Sequence, residues 1–380
     1  MIEKKVKVYF PGLNALRFLA AFLVFASHVE LLKSRNGFEN YYYTPTVYAL
    51  GGSAVTFFFV LSGFLITYLL FIEKDVTGKI SLGQFYLRRI LRIWPLYYTV
   101  VLAGFFIFPH IPYLQDSLSG NLNDDFYSKL LLFLLLLPNV SYVLFPHTPY
   151  ISPAWSIGVE EQFYLAWPWL LSRTKKPLRL FIVLLIGIYL IKVILSLILL
   201  ISNNQADEIV QIGLNIMYFT RFECMIIGAI FAYILHRKKV GLIKILFNKY
   251  LQIFAYIAII ALLGTGFQIP ALNQIIYSSL FGIIILNLSS NPATIFKLEN
   301  KILNYLGQIS FGLYMYHELS IGISIHFLKD LSFNFNNSGP NLLLYTFALL
   351  VTIGIASLSY FLLEKPFLKL KTRFSKIATN

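Results

Sequence analysis

The chain has one cysteine, Cys224, so no internal disulfide and no thiolate metal site can be built from it. Charged side chains are equally sparse, at 13% of 380 residues, against 58% hydrophobic residues and a mean hydropathy of +0.71. That balance excludes a water-soluble globule and describes an all-α integral membrane protein. There is no glycine-rich phosphate loop and no serine nucleophile elbow. The in-span histidines lack the His/Glu spacing of a metal site, so no metal is expected. Although 31 Lys and Arg outnumber 17 Asp and Glu, the bases sit between apolar runs, where they set membrane orientation rather than a nucleic-acid surface. No nucleic-acid partner is expected; membrane lipids are.

The apolar runs fall near 12–32, 49–71, 94–111, 130–146, 155–172, 179–202, 213–235, 250–267, 271–289, 304–328 and 341–363. Basic segments at the N-terminus, Lys79 to Arg92, Arg173 to Arg179, Arg237 to Lys249 and after Lys365 read as cytoplasmic. The segments Gln115 to Asp125 and Ser202 to Glu208 are poor in bases or acidic and read as external. Arg92 and Arg173 must then share a side, so one of the three runs between them fails to cross. The run 130–146 is short and precedes a proline-rich polar stretch, Pro146 to Pro153, that cannot be regular helix. The expectation is about ten transmembrane helices, a re-entrant or surface-lying segment around 130–153, and both termini inside. Residues 1–370 form one domain in the cell membrane, followed by a basic tail, 371–380. Lys4, Lys5 and Lys7 before an apolar stretch imitate a signal peptide, but Arg17 interrupts its core and no small-residue cleavage site follows. The first span is read as uncleaved.

That first span, Pro11 to Leu32, carries Arg17 and His28. An ionisable group in a bilayer costs roughly 2.5–3.5 kcal/mol on insertion scales. Eleven residues at about 100° each put both on one face, roughly 16 Å apart along the axis. The plain alternatives are an arginine reaching a headgroup and a hydrogen-bonded core histidine; the shared face favours a protein-lined or wet cavity. Arg88 and Arg92 lie one turn apart beside Arg89, as in a solvated stop-transfer cluster or a grip on a cytoplasmic phosphate. Ser156, Glu160 and Tyr164 stack on one face just after Trp155, and Glu161 reads as a helix-start acid. Ser310, Tyr314 and His317 share another face, whereas Arg221 and Glu223 read as a structural pair or snorkelling groups.

In order, these stretches are Arg17 to His28, Phe57-Phe58-Phe59-Val60-Leu61-Ser62-Gly63-Phe64-Leu65, Arg88 to Pro95, Trp155 to Tyr164, Ser310 to His317 and Glu364-Lys365-Pro366-Phe367. Together the chain resembles the membrane acyltransferase family 3, bacterial O-acetyltransferases of lipopolysaccharide, peptidoglycan and exopolysaccharide. It departs at Asn14, Ala15 and Phe18 around the arginine and at Tyr316 before the late histidine. On this resemblance the soluble esterase-like domain of some members is expected to be lacking. The resemblance implies transfer of an acyl group, probable donor acetyl-CoA, to a carbohydrate hydroxyl, with no permanently bound cofactor. It implies His28 as general base, with Glu160 and Arg17 completing a catalytic group. Arg88, Arg89 and Arg92 would hold CoA phosphates; Trp155, Ser156, Tyr164, Ser310, Tyr314 and His317 would line the acyl path or acceptor pocket. A transporter or flippase of a polysaccharide or lipid-linked sugar, or an assembly protein, is the competing reading. No inverted repeat supports the former.

Overall fold

A chain this apolar must close its backbone hydrogen bonds within each segment, and it does so as helices. The computed structural model describes residues 6–111, 114, 125–201, 206–269, 271–374 and 377–379. Its helices are α1 (Leu13–Arg35), α2 (Pro45–Thr77), α3 (Leu82–Phe106), α4 (Phe126–Leu134), α5 (Pro138–Leu144), α6 (Ala154–Arg173), α7 (Pro177–Ile201) and α8 (Ala206–Thr220). They continue as α9 (Phe222–His236), α10 (Val240–Leu246), α11 (Lys249–Thr265), α12 (Asn273–Ser290), α13 (Lys301–Gln308), α14 (Ser310–Asp330), α15 (Ser338–Ser359) and α16 (Lys365–Lys371). A π-helical turn over Tyr360–Glu364 joins the last two. Strand β1 (Val6–Val8) pairs in parallel with β2 (Ile377–Thr379), so both ends of the chain meet on one face. Within the basic tail, Ile377–Thr379 is thereby tied to the N-terminal segment.

Six stretches are long and apolar enough to cross a bilayer, and a seventh appears if α10 and α11, bent by 53°, count as one. The ten crossings expected from the apolar runs are not reached by that measure among the described residues. The reason is chemical. Helices α6, α12 and α14 have 20, 18 and 21 residues, but polar groups such as Glu160, Glu161, Asn287, His317 and Glu318 dilute their hydropathy. By contrast, α7 presents Ile182, Val183, Ile186, Leu190 and Val193 outward, an apolar face that lipid covers without cost. The protein is an all-α, multi-pass membrane protein. Of the base-poor segments read as external, residues 115–124 and 202–205 lie outside the described residues.

Between α3 and α6 the chain forms only α4 and α5, of nine and seven residues. Neither approaches the roughly 20 residues a crossing needs, in keeping with a segment that does not span. The irregular stretch that follows is buried rather than exposed at Tyr150, Ile151 and Ser152. Ile151 lies against Gly104 of α3, where a Cβ would stand 2.2 Å from its Cγ2. This packing brings Ser152 into the interior.

Helix α1 runs between α2 and α14, with α6 and α3 closing the other side of α2 and α14. Helix α2 is in turn packed closely on α9. A Cβ on Gly63 would stand 1.9 Å from the Met225 carbonyl oxygen, and one on Gly228 would stand 2.0 Å from that of Val60. Small residues let membrane helices approach in this way. A valine at either position has to push the helices apart, at a cost of about 1–3 kcal/mol. Gly228→Val should therefore lower the melting temperature of the detergent-solubilised protein, measured by fluorescence-detected size exclusion. An unchanged melting temperature would refute the close crossing.

Candidate functional site

Helix α1 is unbroken from Leu13 to Arg35, so Arg17 and His28 do share one face. Each stands in its own cluster, and the two clusters lie roughly 16 Å apart along the helix.

At the His28 end, α14 supplies the partner. His28 Nδ1 lies 2.5 Å from His317 Nε2, and the two rings stack at 4.7 Å between centroids and 6° between planes. His317 Nδ1 lies 2.6 Å from the Tyr314 carbonyl oxygen. A carbonyl can only accept, so His317 carries its proton on Nδ1. With both rings neutral, His317 Nε2 is then an acceptor, and His28 donates to it from Nδ1. That leaves the lone pair of His28 on Nε2, which bonds to no described residue. The His28 side chain keeps 22% of its surface exposed, while Glu318 beside it is 1% exposed. A base with an open nitrogen and a fixed tautomer is what this arrangement offers.

Glu318 Oε1 lies 3.9 Å from His28 Nδ1 and accepts a hydrogen bond from the Ser152 hydroxyl; its other oxygen is buried without a partner. Tyr314 continues the cluster, its hydroxyl 2.7 Å from Ser156 Oγ. Arg35, seven residues after His28, acts electrostatically on His28 and on Tyr42, His147 and Tyr142. Burial pushes the Tyr42 phenol above its ordinary range, and Arg35 opposes that.

The Arg17 end collects cations. Arg17 donates to Asn14 Oδ1 at 2.9 Å and feels the charges of Arg92, Glu160 and Arg89. Arg89 stands 5.6 Å over both the Phe85 and Tyr164 rings. Glu160 accepts from the Tyr164 hydroxyl at 3.0 Å, and that hydroxyl also bonds Ser62 Oγ. Glu161 is engaged by Trp94 Nε1 at 2.9 Å. Lys371 of α16 joins the same field of arginines. Arg17, Arg89 and Arg92 form no ion pair among the described residues, so this end has positive charge to offer an anion.

Several expectations change here. Glu160 makes no hydrogen bond to His28 among the described residues; it lies at the arginine end with Tyr164, and Glu318 stands beside the histidine. Arg88 does not stand free with Arg92: it pairs with Glu73 at 2.7 Å and donates to the Phe374 carbonyl at 3.1 Å. Glu223 pairs with Lys192 of α7 at 2.5 Å, whereas Arg221 donates to the Gly52 carbonyl. Trp155 packs edge-on against Phe59 and Phe219 under Arg221. Ser310 is buried in the first turn of α14 and bonds to neither cluster.

Donors from two helices also come together here. His28, His317 and Glu318 bring one donor atom each within 4.8 Å of the others, a set able to hold a metal ion. Spacing along one helix cannot register donors drawn from two. The same atoms are engaged in the His28–His317 and Ser152–Glu318 hydrogen bonds, so ion and hydrogen-bonded pair are alternative uses of them. Sequence reasoning passed over Glu318, Ser152, Ser62 and Arg35 as site residues. Two of these carried a signal: Glu318 is an acid next to an in-span histidine, and Arg35 lies two turns beyond His28 on its face.

Comparison with known proteins gives the chain its relatives. A family described as an acyltransferase domain matches residues 10–361. The peptidoglycan O-acetyltransferase OatA of Listeria monocytogenes is 25% identical over 375 residues, which are 95% of this chain and 56% of the relative. A Staphylococcus aureus protein with a provisional O-acetyltransferase name is 39% identical over 92 residues, 24% of this chain and 13% of its own length. The chain thus spans little more than half of the longer-matched relative. No solved structure matches it significantly.

A carboxylate beside a base that turns cationic during reaction is worth about 1.5–3 kcal/mol. Glu318→Gln should accordingly lower turnover roughly ten- to a hundredfold while donor affinity, read by equilibrium binding, holds. Wild-type turnover in that variant would leave Glu318 a packing residue.

Proposed function

This chain belongs to the acyltransferase family whose domain spans residues 10–361, and on that premise we propose that it moves an acyl group, in the simplest case acetyl, from cytoplasmic acyl-CoA to a hydroxyl of an extracytoplasmic carbohydrate such as a cell-surface polysaccharide. The observation that carries the reading is the division of α1. One end gathers Arg17, Arg89 and Arg92, in no ion pair among the described residues although Glu160 and Glu161 lie within their field; the other holds a histidine whose tautomer is fixed and whose Nε2 is open. The names of the Listeria and Staphylococcus relatives support acetyl as the group, and the former supports a carbohydrate acceptor.

In this account the arginine end takes the CoA phosphates, because a guanidinium fork matches them. Arg89 and Arg92 carry that role with Arg17, while Arg88 holds the mouth together through Glu73. The extended pantetheine arm covers the distance to the histidine. The acceptor oxygen attacks the thioester carbonyl carbon as His28 Nε2 takes its proton; the C–O bond forms and the C–S bond breaks. The thiolate leaves and recovers the proton from the imidazolium. His317 keeps the His28 ring aligned, and Glu318 stabilises the cation between the two steps. Ser156, Tyr164 and Tyr314 line the path between the ends. The basic loops argue for the cell membrane, with both termini on the cytoplasmic side and the arginine end facing the donor pool.

Removing a general base costs about 10²–10⁴-fold in rate. His28→Gln should abolish transfer of label from radiolabelled acetyl-CoA to a glycan acceptor while the protein still inserts and binds acyl-CoA. If that variant keeps more than about a tenth of wild-type turnover, the base is another group.

A further inference from the structure

The stripe that begins at Arg17 and passes His28 does not stop there. Arg35 lies seven residues beyond His28, nearly two turns, so it sits on the same face about 10.5 Å further along. Its surroundings contrast with those of its neighbour Lys33. Lys33 is 1% exposed and neutralised by Glu30 at 2.9 Å, and Glu30 is held in turn by the Tyr41 amide and the Tyr345 hydroxyl. Arg35 is half-buried and makes no hydrogen bond or ion pair among the described residues. Its charge is felt by His28, Tyr42, Tyr142 and His147, groups from α1, the α1–α2 loop and the α5–α6 region. A half-buried guanidinium left without a counter-ion among the described residues is short of an anion.

A second feature at this end indicates what carries the anion. Lys33, Glu39, Asn40, Asn336, Asn337 and Asn341 are among the residues that line a cavity of about 390 Å³; Arg35 is not part of that lining. Asn341 Oδ1 is buried there with no partner among the described residues. Side-chain amides that can both donate and accept suit a ligand rich in hydroxyls.

We propose that Arg35 binds an anionic substituent, a carboxylate or phosphate, on the saccharide acceptor, next to the hydroxyl that His28 deprotonates. This rests on the acyltransferase reading above and adds the charge of its acceptor. The bound anion neutralises Arg35, and the fork of the guanidinium orients the acceptor so that its hydroxyl faces His28. A lipid headgroup phosphate offers the same chemistry to a residue in the last turn of a membrane helix, so the experiment must separate the two sources.

The protein is reconstituted in vesicles of zwitterionic lipid, and separately with anionic lipid added. Each preparation is given acetyl-CoA and two matched oligosaccharides, one with a uronic carboxylate and one with the corresponding carboxamide. The wild type should prefer the carboxylate through KM. Arg35→Ala should shrink that preference by roughly tenfold or more, the loss of a charge-assisted contact. Arg35→Lys, which keeps the charge and serves as the fold control, should retain part of it. A preference that Arg35→Ala leaves intact, or one absent from the wild type, overturns the assignment. A defect in Arg35→Ala that follows the anionic lipid and not the acceptor assigns the residue to the headgroup and also overturns it. Wild-type protein that acylates neither oligosaccharide overturns the acceptor reading itself, a result distinguishable from the other two.

Discussion

The hydrogen bond between His28 and His317 is the constraint on which the rest of the molecule depends. It joins side chains 289 positions apart in the chain and holds their rings parallel to within 6°. Such alignment needs α1 and α14 at fixed rotation and spacing. Buried small and apolar residues supply this, among them Ala21, Ile309, Leu313 and Ala356. Glycine allows a still closer approach at Gly307, where a Cβ would stand 2.1 Å from the Asn14 carbonyl oxygen. Each histidine alone would be a costly polar group in an apolar bundle. Together, with the Tyr314 carbonyl as final acceptor, they satisfy one another and leave a single nitrogen open.

From that bond outward, the polar groups form two islands rather than a continuous channel. Ser156 and Tyr314 extend the histidine island, and Glu160, Tyr164 and Ser62 extend the arginine island. Helix α6 bridges them, since Ser156 and Glu160 are one turn apart on its surface. Around both islands the packing is aromatic: Phe58 lies edge-on to Tyr314, Phe85 to Tyr164, and Trp167 bonds Thr67 from within a phenylalanine stack. A dry, rigid surround strengthens the electrostatics of the few charges inside it. The proline-rich stretch before α6 contributes by burying Ser152 against Glu318, which accounts for irregular backbone being kept at this depth.

What could be read from the sequence was whatever a single helix determines. The stripe of Arg17 and His28, the turn of Ser156 to Tyr164 and the face of Tyr314 and His317 all depend on helical periodicity alone, and each is present. The pairings between helices were out of reach. Glu160 was the conspicuous carboxylate, yet Glu318 is the one beside His28. Arg88 looked free until Glu73 of α2 was brought to it, and Glu223 looked like a partner for Arg221 until α7 delivered Lys192. Only six or seven stretches are both long and apolar among the described residues for a related reason: α6 and α14 carry polar site residues that lower their hydropathy, so they look less like membrane spans than α1 does.

The central claim is a proton position: His28 donates from Nδ1 to His317 and keeps Nε2 open. Nitrogen-15 NMR of the protein labelled at histidine, in lipid nanodiscs and with His28→Gln and His317→Gln spectra for assignment, reads that position directly. The account predicts that both rings are neutral Nδ1–H tautomers, with His28 Nε2 unprotonated. A His28 ring protonated at Nε2 instead would contradict it, because the nitrogen assigned to take the acceptor's proton would already hold one.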